Sequence, residues 1–173
     1  MTVATTWGYG SSMGTNEIVV TRVVDAPVAA VWRVLTDIEG AAQSMRSIEK
    51  IEILAGNAYE VGLRWRETRK MFGMSATEEM WVAEVTPGVS TRVDATSGST
   101  GYSTTFTLEE VGPKTRVVVR FAAVQAEPSR GARLAQKVLG PVGSRATAKM
   151  LAKDLEDVEI AAAGRLHEMD DDA

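Results

Sequence analysis

The sequence has no cysteine and a single histidine, His167, among its 173 residues. The absence of cysteine excludes disulfides and thiolate metal sites. A lone histidine leaves no His-based catalytic triad and no zinc site, so we expect no bound metal. A chain without cysteine also fits a reducing compartment, and we expect the protein to be cytoplasmic.

Membrane, export and phosphate-binding signals are missing as well. No run of about 18 apolar residues occurs, so the sequence predicts no transmembrane segment. The N-terminal segment lacks a basic start followed by an apolar stretch, which predicts no signal peptide. No glycine-rich loop joins a predicted strand to a predicted helix, and we expect no cofactor. The net charge of -4 and the pI of about 5.1 argue against a nucleic-acid partner.

The chain length fits one domain, flanked by two short segments of unusual composition. Residues 1–15 are rich in glycine, serine and threonine and predict a flexible arm. Residues 168–173 are mostly acidic and predict a disordered tail. Residues 16–167 are therefore predicted to form the single domain.

Several segments have the β-branched composition or the apolar–polar alternation that predicts strands. There are seven, at residues 17–24, 48–56, 63–71, 74–85, 89–95, 102–108 and 117–123. Clean alternation with short turns indicates antiparallel strands with one face exposed to solvent. Because the strands follow one another and the helices are segregated, the pattern predicts an α+β fold.

Three helices are predicted around these strands. Residues 28–35 place apolar side chains at helical spacing, and Asp25 is the expected cap. Residues 37–45 predict a second short helix. Residues 129–165 predict a long C-terminal helix that breaks at Pro141, because an internal proline removes one backbone hydrogen bond.

The second part of the long helix is amphipathic. Its apolar face carries Leu151, Leu155, Val158 and Ala162. The opposite face, which we expect to be exposed to solvent, carries Lys153, Asp154, Glu156, Asp157 and Glu159.

Charged and apolar residues share one face of the third strand. Alternation places Trp65, Glu67 and Arg69 on the face that is expected to point inward. A buried charge must find a partner. Two interpretations stay open: Glu67 and Arg69 anchor a polar group of a ligand, or they form an internal ion-pair network with Glu78 or Glu79.

The turn after the third strand decides which residues of the fourth strand lie opposite. A two-residue turn at 72–73 places Glu67 opposite Glu78 and Arg66 opposite Glu79, whereas an odd-length turn exchanges the two faces. The sequence therefore leaves open which face of the fourth strand points inward.

The order of elements, together with four short motifs and the long last helix, resembles a known superfamily. The motifs are Val24-Asp25-Ala26-Pro27-Val28-Ala29-Ala30-Val31-Trp32, Leu35-Thr36-Asp37, Gly62-Leu63-Arg64-Trp65 and Glu84-Val85-Thr86-Pro87-Gly88. They resemble the START/Bet v 1-like (SRPBCC) superfamily, and in particular its bacterial polyketide cyclase/dehydrase-like proteins, over about residues 16–166. The resemblance implies a helix-grip fold: a seven-stranded curved antiparallel sheet wrapped around the long C-terminal helix, with two short helices after the first strand.

This superfamily implies a cavity between the sheet and the long helix, but no particular reaction. Small residues among large ones on the inner face of the sheet support such a hollow. We therefore expect a small hydrophobic ligand: a lipid, an isoprenoid, a quinone or a polyketide. The residues expected to contact it are Trp65, Glu67, Arg69, Val93, Tyr102, Thr104, Phe106, Phe121 and Met150.

Two other functions stay open. In a polyketide aromatase/cyclase-type enzyme, the same cavity folds the substrate and Glu67, Arg69 or Tyr102 handles protons; no catalytic residue is assigned. The third alternative is an interaction module, as in the co-chaperone relatives of the superfamily.

The outer face of the sheet offers a further contact. A homodimer through this face stays open, with Arg64, Arg66 and Glu79 pairing across it.

Overall fold

In the computed structural model the described residues are 17–71, 73–97, 100–124 and 141–171. The predicted N-terminal arm and the part of the long helix predicted before Pro141 lie outside these residues. So do the last two residues of the predicted acidic tail.

One antiparallel sheet accounts for all the strands of the described residues. The strands are β1 (Glu17–Val24), β2 (Ile48–Ala55), β3 (Arg64–Met71), β4 (Met74–Thr86), β5 (Ser90–Ser97), β6 (Thr100–Val111) and β7 (Lys114–Val124). Their spatial order is β1-β7-β6-β5-β4-β3-β2, so the first two strands of the chain form the two edges. The predicted helix-grip architecture with seven strands is confirmed.

The register between β3 and β4 follows from the short turn that joins them. Gly73 has a φ of 81°, a left-handed conformation that glycine adopts without strain, and Met71 pairs with Met74. As a result Glu67 lies opposite Glu78, as predicted for a two-residue turn. Glu78 and the residues two positions away on β4 therefore face the concave side, which answers the question that the sequence left open.

The helices are α1 (Val28–Thr36), α2 (Ala41–Ser44) and α3 (Pro141–Asp171). The prediction that Asp25 caps α1 is wrong. Pro27 occupies the cap position without a side-chain cap, and the Asp25 carboxylate lies 3.1 Å from Lys114 Nζ. Asp25 stands two residues ahead of the cap, too early to reach the first free N–H groups of the helix.

Helices α2 and α3 both differ in length from the prediction. Helix α2 begins only at Ala41, because residues 38–40 form a turn in which Gly40 N donates to Asp37 Oδ1 at 3.0 Å. Helix α3 continues to Asp171, so its last turn falls in the acidic segment that was predicted to be disordered. Each residue added to an existing helix gains one backbone hydrogen bond without needing an apolar contact.

The main core lies where the second half of α3 crosses the sheet. Leu155, Val158 and Ala162 are fully buried there, against side chains from α1, β1 and β7. A separate apolar cluster forms on β3–β5 around Trp65 and its neighbours. The sheet and the first turns of α3 leave a hollow between the two clusters.

Candidate ligand-binding cavity

A cavity of about 860 Å³ lies between the concave face of the sheet, α1 and α2, and the first half of α3. Most of its wall is apolar. Small side chains face it from the sheet at Ala76 and Ala95, and from α3 at Gly143 and Ala146. The volume is in the range of pockets that enclose small molecules.

All nine side chains that the sequence analysis expects to contact a ligand line this cavity. The sheet contributes eight of them and α3 contributes Met150. The strands bring them together because each faces the concave side at alternate positions. That they contact a ligand stays a prediction.

Arg69 is the centre of a charged cluster on the wall. Its Nε donates to Glu67 Oε1 at 2.7 Å, and its Nη1 donates to Asp154 Oδ2 at 3.0 Å. Glu67 also accepts a long hydrogen bond of 3.4 Å from Trp65 Nε1, and Asp154 accepts one of 3.0 Å from Ser47 Oγ. The cluster thereby joins β3 to α3.

The protonation of Arg69 is fixed by these neighbours. Burial by itself would lower the pKa of its guanidinium. The carboxylates of Glu67 and Asp154 outweigh that effect and raise the pKa well above its ordinary value. Arg69 therefore stays charged near neutral pH, and it is a poor donor of protons.

The expectation that Asp154 is exposed to solvent is wrong. Its side chain is 18% exposed and lies on the cavity wall, where Arg69 binds it. Glu78 and Glu79 were the partners considered for Arg69 from the sequence. Asp154 was missed because polar residues of an amphipathic helix are normally on its wet side.

Asp157 is also placed differently from the expectation. Its side chain is 4% exposed and accepts two hydrogen bonds from Arg46, one from the backbone N at 2.9 Å and one from Nε at 2.6 Å. Arg46 lies in the connection between α2 and β2. Asp157 therefore ties the segment that lines one side of the cavity to α3.

Tyr102 is buried at the cavity wall and stacks on Phe121, with ring centroids 5.5 Å apart and planes inclined by 21°. Thr104 and Phe106 follow it on the same strand and face. This arrangement gives β6 a continuous, mainly apolar surface toward α3.

Tyr59 is a wall residue that the sequence analysis did not name. Thr91 Oγ1 donates to the carbonyl of Glu84 at 3.1 Å, so Tyr59 OH donates to Thr91 Oγ1 at 2.9 Å. Burial raises the pKa of Tyr59. Its ring is nearly perpendicular to that of Trp32, with the ring centroids 6.2 Å apart and the planes inclined by 81°.

No three metal-ligating side chains come together within the ranges 17–71, 73–97, 100–124 and 141–171. None of the helices described above combines the length and the apolar character that crossing a bilayer requires.

Residues 15–161 match the family model described as "Polyketide cyclase / dehydrase and lipid transport". The chain belongs to this family. The match spans most of the sequence and includes every described residue that lines the cavity. A search of curated proteins finds no match.

Solved structures share the fold at low sequence identity. The Zhui aromatase/cyclase from a Streptomyces species has a TM-score of 0.70 and 21% identity, covering 87% of this chain and 94% of that one. TTHA0849 from Thermus thermophilus has a TM-score of 0.68 and 20% identity, over 86% and 98%. A START superfamily protein from Mycobacterium smegmatis has a TM-score of 0.61 and 17% identity, over 88% and 98%.

These relations confirm the SRPBCC superfamily and its polyketide cyclase/dehydrase-like branch, as predicted from the motifs. At these identities the likeness to solved structures concerns the fold. The description of the family names polyketide cyclases, dehydrases and lipid transport.

Proposed function

We propose that the protein binds a small, largely apolar molecule in the cavity between the sheet and α3. The observation that carries the proposal is the cavity of about 860 Å³, whose wall is mostly apolar and holds one charged cluster. Burial of apolar ligand surface against such a wall is favourable. The polar groups fix the orientation of the ligand. A lipid, an isoprenoid, a quinone or a polyketide has the required chemistry.

The polar contacts come from few residues in this proposal. Arg69 and Glu67 lie on the wall held by β3, and Tyr102 lies on β6. The remaining six residues of the predicted contact set supply mainly apolar surface.

The geometry of the cluster favours binding over catalysis. Glu67 accepts N–H groups from Arg69 and Trp65, and Arg69 stays protonated between two carboxylates. A general acid or base needs a pKa near the working pH, which Arg69 does not have. The aromatase/cyclase alternative would be supported by turnover of a poly-β-ketone substrate.

The interaction-module and homodimer alternatives concern the outer face of the sheet. There Arg66 Nη2 lies 2.8 Å from Glu79 Oε1, and the guanidinium of Arg64 lies 5.4 Å from the centre of the Trp81 ring. A partner that pairs with these side chains would compete with the contacts that they make within the chain. Sedimentation velocity at increasing protein concentration tests whether the chain forms this dimer. We also propose that the protein is cytoplasmic.

A cavity-filling variant with a matched control tests the proposed function. Ala146 faces the cavity from α3, and Ala163 lies exposed on the same helix. We expect native mass spectrometry of freshly purified protein to detect a discrete apolar molecule in the wild type and in Ala163→Phe. The molecule should be absent in Ala146→Phe. Organic extraction then identifies it.

Other outcomes count against the proposal. Retention of the same molecule by Ala146→Phe would place it outside the cavity. A wild-type protein that is empty and binds no member of a lipid and polyketide panel would favour the interaction module.

A further inference from the structure

The charges on the cavity wall are unevenly distributed. Among the described residues that line it, Arg69 is the one cation, whereas Asp37, Glu67, Glu78 and Asp154 are carboxylates. An anionic ligand that approaches this cation therefore meets a part of the wall where Glu67 and Asp154 already supply two negative charges.

The single cation is also engaged from two sides. Glu67 Oε1 and Asp154 Oδ2 lie 2.7 Å and 3.0 Å from nitrogen atoms of Arg69, and they come from different elements, β3 and α3. A ligand carboxylate that approaches Arg69 meets both carboxylates at short range. Repulsion between like charges is strong in a site that is largely shielded from water.

Asp154 is held firmly in this position. Its second oxygen accepts the hydrogen bond from Ser47 Oγ at 3.0 Å, so each carboxylate oxygen has its own donor. A rotation that moved Asp154 away from Arg69 would break both bonds and leave Arg69 with Glu67 as its single carboxylate partner. The contact between α3 and the sheet therefore keeps Asp154 where it repels the carboxylate of a ligand.

We propose that Asp154 makes the cavity select apolar molecules with a neutral polar head group and reject carboxylates. This inference rests on the proposed binding function and names its ligand class. A hydroxyl head adds no charge next to Glu67 and Asp154, whereas a carboxylate adds a third negative charge around one guanidinium. Free fatty acids are therefore poor ligands, and the corresponding alcohols are good ones.

Displacement of the neutral fluorescent probe N-phenyl-1-naphthylamine tests the inference. The competitors are 1-decanol and decanoic acid at about pH 8, where the acid is fully ionised. We expect the wild type to bind 1-decanol more tightly than decanoate by roughly tenfold or more. In Asp154→Asn, which keeps the size of the side chain, the amide oxygen can still accept from Arg69 and the amide nitrogen can donate to Ser47 Oγ. Decanoate should bind to this variant about tenfold more tightly. The ratio of the two affinities should therefore shift by about tenfold toward decanoate.

Two further variants complete the test. Glu156→Gln removes the same charge from α3 at a position that does not line the cavity, and it should leave the ratio of the two affinities unchanged. Glu67→Gln removes the other carboxylate on Arg69 and should also improve decanoate binding, which provides a second route if Asp154→Asn is unstable.

The outcomes separate this inference from the proposed function. Decanoate that binds to the wild type as tightly as 1-decanol overturns the inference and leaves the binding function intact. An unchanged affinity ratio in folded Asp154→Asn overturns it as well. A failure of the probe, 1-decanol and decanoate alike to bind counts against the proposed function itself.

Discussion

Arg69 binds two carboxylates, one from Glu67 on the same strand and one from Asp154 on α3. Its side chain is 16% exposed, and those of Glu67 and Asp154 are 8% and 18% exposed. The attraction within such a buried ion cluster contributes little net stability, whereas removal of one of its charged side chains is costly. A carboxylate that stays buried without its cation keeps its desolvation penalty and loses the compensation.

Replacement of Arg69 by leucine should therefore destabilise the protein strongly. We expect Arg69→Leu to lower the free energy of unfolding by about 3–5 kcal/mol, because Glu67 and Asp154 lose their shared cation. Urea denaturation followed by circular dichroism measures the change. Arg66→Leu is the matched control, since Arg66 pairs with Glu52 and Glu79 on the solvent side of the same strand. Its effect should be much smaller. Equal losses in the two variants would contradict the structural role of the cluster.

Tyr59 makes the folding stability depend on pH, and its burial determines the direction of that dependence. Burial raises the pKa of Tyr59 above its ordinary value of 10.0, so the folded state holds the phenolic proton more tightly than the unfolded state. The stabilisation is complete below pH 10 and is lost as the pH rises toward the folded-state pKa.

Tyr59→Phe should remove part of this pH dependence. The variant loses the hydrogen bond to Thr91 and about 1 kcal/mol of stability near neutral pH. Above about pH 10 its stability should fall less steeply than that of the wild type, by up to about 1.4 kcal/mol per pH unit. Thermal melts at several pH values compare the two slopes. Equal slopes of stability against pH in the wild type and in Tyr59→Phe would show that Tyr59 does not cause the loss of stability at high pH.

Among the elements, the connection from residue 37 to residue 47 depends on α3 for its position. Helix α2 within it has only four residues and no buried side chain. Arg46 and Ser47 bind Asp157 and Asp154, so two acids of α3 hold the end of this connection next to the cavity. Short segments with few buried contacts open locally at low free-energy cost.

Loss of the Arg46 side chain should loosen this connection in particular. In Arg46→Ala, Asp157 keeps the backbone bond but loses the bond of 2.6 Å from Nε. We expect amide hydrogen exchange in residues 41–48 to become about tenfold faster, with little change in β5 and β6. Arg120→Ala is the control, because Arg120 pairs with Glu17 at the exposed edge of the sheet. Uniform acceleration across all strands would indicate global destabilisation instead.

The strands could be predicted from the sequence because alternation is a local signal. The register of the third and fourth strands was predicted only for the case of a two-residue turn, and the sequence left the turn length open. The pairing of Glu67 with Glu78 follows from one two-residue turn. The positions of Asp154 and Asp157 could not be predicted in this way. Both belong to the polar side of an amphipathic helix, and no local pattern shows that part of this side faces an enclosed hollow. Tyr59 escaped prediction because it lies in an irregular connection between β2 and β3, where side chains have no regular period.

For the whole molecule, the cavity means that stability depends on what fills it. A ligand that binds only the folded state stabilises it by mass action, by about 2.7 kcal/mol at a concentration one hundred times its dissociation constant. The empty protein also lacks contacts that its apolar wall residues would otherwise make.

Protein stripped of bound molecules should therefore melt at a lower temperature than protein as purified. For a chain of this length we expect a difference of roughly 5–10 °C. Differential scanning calorimetry before and after refolding from denaturant measures it, and the organic extract added back should restore the higher value. Identical melting temperatures, with a ligand present before refolding, would show that the molecule binds at the surface.

The pairing of β1 with β7 has a consequence for synthesis on the ribosome. Glu17 pairs with Ala122, so more than one hundred further residues must be translated before β1 can pair with β7. At ordinary rates of translation this delay is roughly 5–20 s. During that time β1 exposes an unpaired edge and the apolar residues of its inner face. The nascent chain is therefore most vulnerable to aggregation before β7 emerges, and factors that shield it during those seconds should raise the yield of folded protein.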